Sequence, residues 1–408
     1  MPPTLFSTYE RILDRVNSSH PSTRELVRRS LLWIASSKEP LSAWQLREAV
    51  SLELSSKTLY RDRIPDEKRI LKWCSSLVRR TGPTDAAQIE LAHFTVKEFL
   101  LLEFQEGDVD KYAQYRISIE KANLHLAQLC LTYILSEDFE NLPISTIKTE
   151  EEQASMLKAQ NERHPLLLYA SKNFCIHAMG NEDDEALWQL LQSLFQPAKT
   201  NNYLSWSYQF ANITLHSGTN IMQAVSSSST LHFAALVSLP CVVRWLTKLP
   251  ECYPNINKMS EIGTPLACAL FSIHSQNASP NPPKHNIMIN GSEVIDSLLE
   301  GGADVNARAY ALPVQTEFTN LTSFGGSAPK LTLVAPLELT ILKDAGWELL
   351  LKHGALVTDS CIDVLEISPE LLVNRFLATV EGKSIPTEIY PRSVQSSTST
   401  VGSIEICQ

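Results

Sequence analysis

The chain has 408 residues, 44% hydrophobic and 20% charged, with 35 basic residues against 45 acidic ones. At about 100–200 residues per domain there is room for two or three domains with cores of their own, which excludes a small disulfide-stapled scaffold and wholesale disorder. No apolar run approaches the roughly 20 residues that cross a bilayer, and the first residues lack a basic segment leading into an apolar one, so the expectation is a cytoplasmic protein with no membrane partner.

Charge is unevenly spread. Residues 1–103 hold 16 Lys and Arg against 13 Asp and Glu, a net of +3, which leaves −13 of the total −10 on the remainder. A global nucleic-acid surface is therefore disfavoured, and any anion-binding patch belongs to the first hundred residues. The eight cysteines show no C-x-x-C spacing, so no zinc site and no redox pair is written locally, and buried reduced thiols are expected.

In chain order, residues 24–36 set Leu31, Ile34 and Ala35 on one stripe behind Leu26 and Val27, an amphipathic helix. Ser42-x-x-Gln45 reads as a capping box ahead of Leu46, Ala49 and Val50. From Pro65, the residues Ile70, Leu71, Cys74 and Leu77 recur at helical spacing and predict a third helix of about four turns. Residues 77–80 and 89–93 then read as two short strands around the turn Thr81-Gly82-Pro83-Thr84-Asp85, and residues 96–104 as helix. Three helices and a β-hairpin make a winged-helix arrangement. Residues 112–139, 164–178 and 184–195 continue as helices separated by polar segments, such as 148–153 and 180–184.

Beyond the run Ser226–Ser229 the sequence repeats itself. Thr230-Leu231-His232-Phe233-Ala234-Ala235 recurs as Thr264-Pro265-Leu266-Ala267-Cys268-Ala269 and more weakly as Ala335-Pro336-Leu337-Glu338-Leu339. Each start is followed by a second apolar helix (Val242 to Leu246, Val294 to Leu299, Trp347 to Leu351), then by Asn255-Ile256-Asn257, Gly302-Ala303-Asp304-Val305-Asn306-Ala307 or His353-Gly354-Ala355-Leu356-Val357. A proline fixes φ in the first turn, small alanines allow close helix approach, and a glycine can take the left-handed cap. About 20 extra residues near 272–291 interrupt the second unit and about 25, residues 310–334, follow it.

These segments resemble ankyrin repeats. Together with Thr8-Tyr9-Glu10-Arg11-Ile12-Leu13, residues 70–78 and Leu91-Ala92-His93-Phe94-Thr95-Val96-Lys97-Glu98-Phe99-Leu100, they resemble fungal NACHT/ankyrin proteins, STAND-type relatives of NOD-like receptors. The resemblance implies a mainly α fold: a linker helix in 1–23, a winged helix with a small β-hairpin in 24–105, a helical spacer in 106–222, a short ankyrin solenoid of about three repeats in 223–362, a cap in 363–392 and a disordered tail in 393–408. It also implies the C-terminal part of such a protein, lacking the NTPase domain, which would be supplied elsewhere. The string Val380-Glu381-Gly382-Lys383-Ser384 ends like a phosphate-binding loop, but Leu377 stands where its first glycine belongs. No signature of a hydrolase or protease is present, so neither catalysis nor a cofactor is expected.

His93 resembles the winged-helix histidine of NOD-like receptors that contacts the β-phosphate of ADP, a role orphaned without the NTPase. His232 resembles the ankyrin histidine that bonds backbone between repeats. Trp33, Trp44, Trp73, Trp188 and Trp245 accompany apolar stripes and are expected in cores; Arg28-Arg29, Arg61-Asp62-Arg63 and Arg79-Arg80 form the local basic excess. Lys258, Glu261, Arg308 and Tyr310 at repeat tips are the candidate partner-binding residues. The expectation is a non-catalytic protein-recognition module in signalling. The alternative is a DNA-binding adaptor, for which the third helix offers only Lys68, Arg69 and Lys72 beside Trp73.

Overall fold

The computed structural model of the chain describes residues 3–54, 56–59, 61–82, 87–102, 110–140, 149–215, 219–271, 286–310, 333–342, 347–358 and 361. The cap expected in 363–392, the tail in 393–408 and the loop-like string at 377–384 lie outside them. The chain divides into two compact units, Met1–Leu215 with Asn220–Val225, and His216–Thr219 with Ser226–Gln408.

The first unit opens with helices α1 (Pro3–Asn17) and α2 (Pro21–Ser36). His20 accepts the Ser22 amide and Pro21 occupies the first turn, so α2 starts where the preset φ of proline costs nothing. It buries Leu26, Val27, Leu31 and Trp33. Strand β1 (Leu41–Ser42) leads into α3 (Ala43–Ala49), opened by the capping box read in the sequence: Ser42 Oγ accepts the Gln45 amide at 3.2 Å and Gln45 Oε1 accepts the Ser42 amide at 2.8 Å. Helix α4 (Glu67–Cys74) is capped by Asp66 and is shorter than its pattern predicts. The backbone turns left-handed at Ser75, φ 50°, and a 3-10 turn carries Leu77 into the core.

Strands β2 (Val78–Thr81) and β3 (Gln88–Leu91) pair antiparallel with Val78 opposite Leu91, and β1 joins the free edge of β3 to give the order β1-β3-β2. Helix, strand, helix, helix and hairpin in this order make a winged helix. Helix α5 (Phe94–Leu100) closes it, and Phe99 meets Phe6 at 5.3 Å and Tyr9 at 5.6 Å in edge-on contacts that bind α1 to the domain.

The remainder of this unit is helical: α6 (Ile119–Ile134), α7 (Glu137–Glu140), α8 (Glu150–Arg163), α9 (Leu166–Ala178), α10 (Glu185–Leu194), α11 (Asn201–Thr214) and α12 (Ile221–Ser227). Helices α6 and α9 form its central pair. Phe174, Phe195, Tyr203, Trp206 and Phe210 form one buried aromatic cluster, in which the Trp206 indole N–H donates to the Ser171 carbonyl at 3.1 Å.

In the second unit three helix pairs follow one another: α13 (Thr230–Leu236) with α14 (Pro240–Lys248), α15 (Pro265–Leu270) with α16 (Asn286–Glu300), and α17 (Pro336–Leu342) with α18 (Trp347–Lys352). Contacts run α13 to α15 to α17 in one layer and α14 to α16 in the other. Where α16 approaches α14, a Cβ at Gly301 would lie 2.9 Å from Thr247 Cβ, so only glycine fits without a shift. Strands β4 (Ala309–Tyr310) and β5 (Leu333–Val334) pair antiparallel and draw together the ends of the insertion after the second pair.

Candidate functional site

Three places gather the residues singled out by the sequence. The first is the winged-helix surface of α4 and β2. The basic pairs that stood out in the sequence are largely engaged: Glu25 accepts from Arg28 twice at 2.7 Å and from Arg29 at 2.6 Å, so its carboxyl is held down to about 2, chiefly by Arg28. Arg61 donates to the Arg163 carbonyl, Arg63 meets Glu53 at 3.4 Å, Arg79 meets Glu90 at 3.3 Å and Arg80 meets Glu67 at 2.7 Å. Lys68, Arg69 and Lys72 of α4 are exposed and enter no ion pair among the described residues.

Trp44 departs from expectation. Trp33 is buried, but Trp44 is 59% exposed, with the Arg47 guanidinium 4.7 Å from its ring centroid. The buried face of α3 is taken by Ala43, Leu46, Glu48 and Ala49, which leaves the second residue of the helix pointing outward. Trp73, Trp188 and Trp245 are half-buried.

At the second place, His93 caps α5. Its Nδ1 accepts the Thr95 amide at 3.3 Å and lies 2.9 Å from the Thr95 hydroxyl, which in turn meets the Tyr9 hydroxyl at 2.6 Å. With Nδ1 accepting, the proton sits on Nε2, which has no partner among the described residues; the ring is exposed beside Phe94, itself 66% exposed. This geometry supplies one helix cap and one outward donor.

Beneath the winged helix lies a buried polar cluster that sequence reasoning missed. Glu48 on α3, 4% exposed, accepts the Leu166 amide at the start of α9 at 2.9 Å. His164 Nδ1 stands 3.8 Å from Glu48, and Arg61 Nη2 lies 3.4 Å from His164 Nε2. Burial pushes the Glu48 carboxyl up, against the pull of the Leu166 amide and the Tyr133 hydroxyl, and pushes His164 down to about 4 with Arg61 assisting. The Leu59 amide donates to Asp138 at 3.0 Å and the Glu137 amide to the Lys57 carbonyl at 2.9 Å. The connection between α3 and α4 is thus fastened to the helices beyond the winged helix. A lone Glu flanked by Arg47 and Ala49 carries no pattern that would have revealed this.

The third place is the row of turns following the helix pairs in the second unit. His232 Nδ1 accepts the Ser229 amide at 3.0 Å and its Nε2 donates to the Lys258 carbonyl at 2.9 Å. Asn257 donates to the Gly302 carbonyl at 3.2 Å and accepts the Asp304 amide at 2.7 Å; one turn later Asn306 repeats the pattern with the Gly354 carbonyl at 3.4 Å and the Leu356 amide at 2.9 Å. Gly302 and Gly354 hold φ of 95° and 88°, the left-handed conformation that ends each second helix.

Among the four tip candidates, Lys258 is exposed, and Glu261 is half-buried with its amide donating to Ser227 Oγ at 3.1 Å. Arg308 reaches Glu338 at 3.4 Å, whose side chain is 3% exposed, and Tyr310 lies in β4 opposite Leu333. Glu338 stands where His232 stands in the first pair and likewise accepts its own cap amide, Ala335, at 3.1 Å. Met259 at the first tip and Leu356 at the third, 40% and 63% exposed, were not singled out by sequence. No group of three or more His, Cys, Asp or Glu among the described residues is arranged to hold a metal ion, and no described helix is long and apolar enough to cross a membrane.

No solved structure matches the chain. A protein of Monascus ruber called azaphilone pigments biosynthesis cluster protein L is 25% identical over 318 residues, a stretch covering 75% of this chain and 60% of that protein. The chain therefore spans less than two thirds of this relative's length. Residues 15–114 match the family described as GPI inositol-deacylase, winged helix domain. The order of helices and strands and this match agree that the N-terminal part of the chain contains a winged-helix domain similar to that of GPI inositol-deacylase.

Proposed function

We propose that the chain is a non-catalytic recognition and regulatory module of the NOD-like-receptor type. In this reading the second unit is a short stack of ankyrin-type repeats that grips a protein partner with its hairpin tips. The observation that carries the reading is the repeated wiring of the turns: Asn257 and Asn306 each bind one carbonyl and one amide of the next turn, and His232 binds across to Lys258. Bonds of this kind spend side chains on joining neighbours and leave tip residues such as Lys258, Met259 and Leu356 to face solvent. In this reading His93 takes a nucleotide-sensing role only beside an NTPase domain.

The test is affinity capture with the full chain and with the pair Lys258→Glu, Leu356→Asp. A partner held through the tips is lost at least tenfold in the variant, while circular dichroism stays unchanged. Equal capture by both proteins removes the tips, and with them this reading of the second unit.

A further inference from the structure

A tryptophan at 59% exposure on a helix that already has an apolar buried face lacks a packing reason. One face of the Trp44 indole is covered by the Arg47 guanidinium, and Arg47 is itself fixed by donating Nε to the Pro65 carbonyl at 2.7 Å. Pro65 immediately precedes Asp66, the cap of α4. A preorganised, arginine-backed aromatic platform is therefore tied to the start of the helix that bears Lys68, Arg69 and Lys72.

At 1.5 Å per residue, Lys68 and Lys72 stand about 6 Å apart along the helix and share one face, with Arg69 beside them. Of the carboxylates around α4, Glu67 is paired with Arg80 and Glu90 with Arg79, while Asp66 accepts the Lys68 amide as the helix cap. The chain's net charge of −10 opposes anion binding only weakly here, since charges more than about 8 Å away are largely screened at physiological salt.

We propose that this face of the winged helix binds single-stranded nucleic acid, with Lys68, Arg69 and Lys72 on phosphates and a base stacked on the open face of Trp44. A duplex fits less well. Its base faces are already stacked on one another, and groove reading relies on a turn of roughly 3–4 residues between the two helices. Here the connection spans residues 50–66 and is held at Lys57 and Leu59 by Glu137 and Asp138. An acidic peptide would satisfy the cations but has no use for the indole face.

The experiment is a fluorescence-anisotropy titration of the full chain with a labelled oligothymidylate of about 15 nucleotides at 50 and 200 mM salt. Three phosphate contacts give a slope of about −2 in log K against log salt, so binding weakens roughly 20-fold between the two conditions. Trp44→Ala weakens binding about tenfold and leaves the slope unchanged, whereas the triple variant Lys68→Gln, Arg69→Gln, Lys72→Gln flattens it. All four side chains are exposed, and unchanged circular dichroism certifies the fold. No binding at 50 mM salt overturns the proposal. So do equal or tighter binding of a duplex, displacement by polyglutamate as effective as by unlabelled oligonucleotide, and indifference to Trp44→Ala.

Discussion

A carboxylate at 4% exposure is costly to bury, and Glu48 offsets that cost by accepting the orphan Leu166 amide in the first turn of α9. Two substitutions separate the hydrogen bond from the charge. Glu48→Ala leaves the Leu166 N–H buried without a partner, and a loss of about 2–3 kcal/mol is expected in urea unfolding. Glu48→Gln keeps an acceptor oxygen and removes the ionisable group that burial already disfavours, so its cost should stay below about 1 kcal/mol. If the glutamine variant loses as much as the alanine variant, the charge rather than the cap is what holds the winged helix to α9.

The second unit depends on how its elements are joined rather than on any one core. Each asparagine amide ties the end of one helix pair to the next, Asn257 to Gly302 and Asp304, Asn306 to Gly354 and Leu356. Removing one exposed side chain that makes two such bonds should cost about 1–2 kcal/mol. Asn257→Ala is therefore expected to speed hydrogen exchange at the Asp304 amide and leave the Leu356 amide protected, while Asn306→Ala does the reverse. Equal exchange at both sites in both variants would mean that the amides follow, and do not make, the junctions.

Element boundaries were legible wherever a local cap wrote them, as with Ser42 and Gln45 at α3. The start of α8 lies in the stretch 148–153, which reads as a polar separator, yet Thr149 and Glu152 form the same kind of capping box. The early end of α4 was not legible. It rests on a left-handed Ser75, and serine carries no preference that would announce it. Strand β1 has only two residues, too few for any alternation to register. Trp44 was placed in a core by its apolar neighbours, and only the observed burial of Ala43, Leu46, Glu48 and Ala49 turns it outward. At the tips, position was readable and engagement was not: the salt bridge of Arg308 depends on Glu338, thirty residues away and buried.

Across the whole molecule, acid should act first on the N-terminal unit. His177 is fully buried; it donates Nδ1–H to the Asn123 carbonyl oxygen at 2.9 Å and accepts the Tyr169 hydroxyl at 2.7 Å through Nε2, an arrangement that requires the neutral ring. Burial, with Lys38 nearby, pushes it down to about 3, and His164 is pushed down to about 4. An unfolded histidine titrates near 6.5, so below that pH the unfolded chain takes up protons that these two folded rings refuse. The stability they allow is complete above pH 6.5 and is lost as pH falls toward 4 and 3. By pH 5 each ring accounts for about 2 kcal/mol of that loss. Glu48 has the opposite sign, since its raised carboxyl is relieved as it protonates, and it works against the descent. Thermal unfolding followed in the near-ultraviolet dichroism of the Trp206 cluster should therefore show a midpoint that falls steadily from pH 6.5 to 5. His177→Gln, which can still donate to Asn123 and accept from Tyr169, should remove about one proton from the slope. A midpoint that stays level across this range would mean that the rings are reached by solvent and protonate without unfolding.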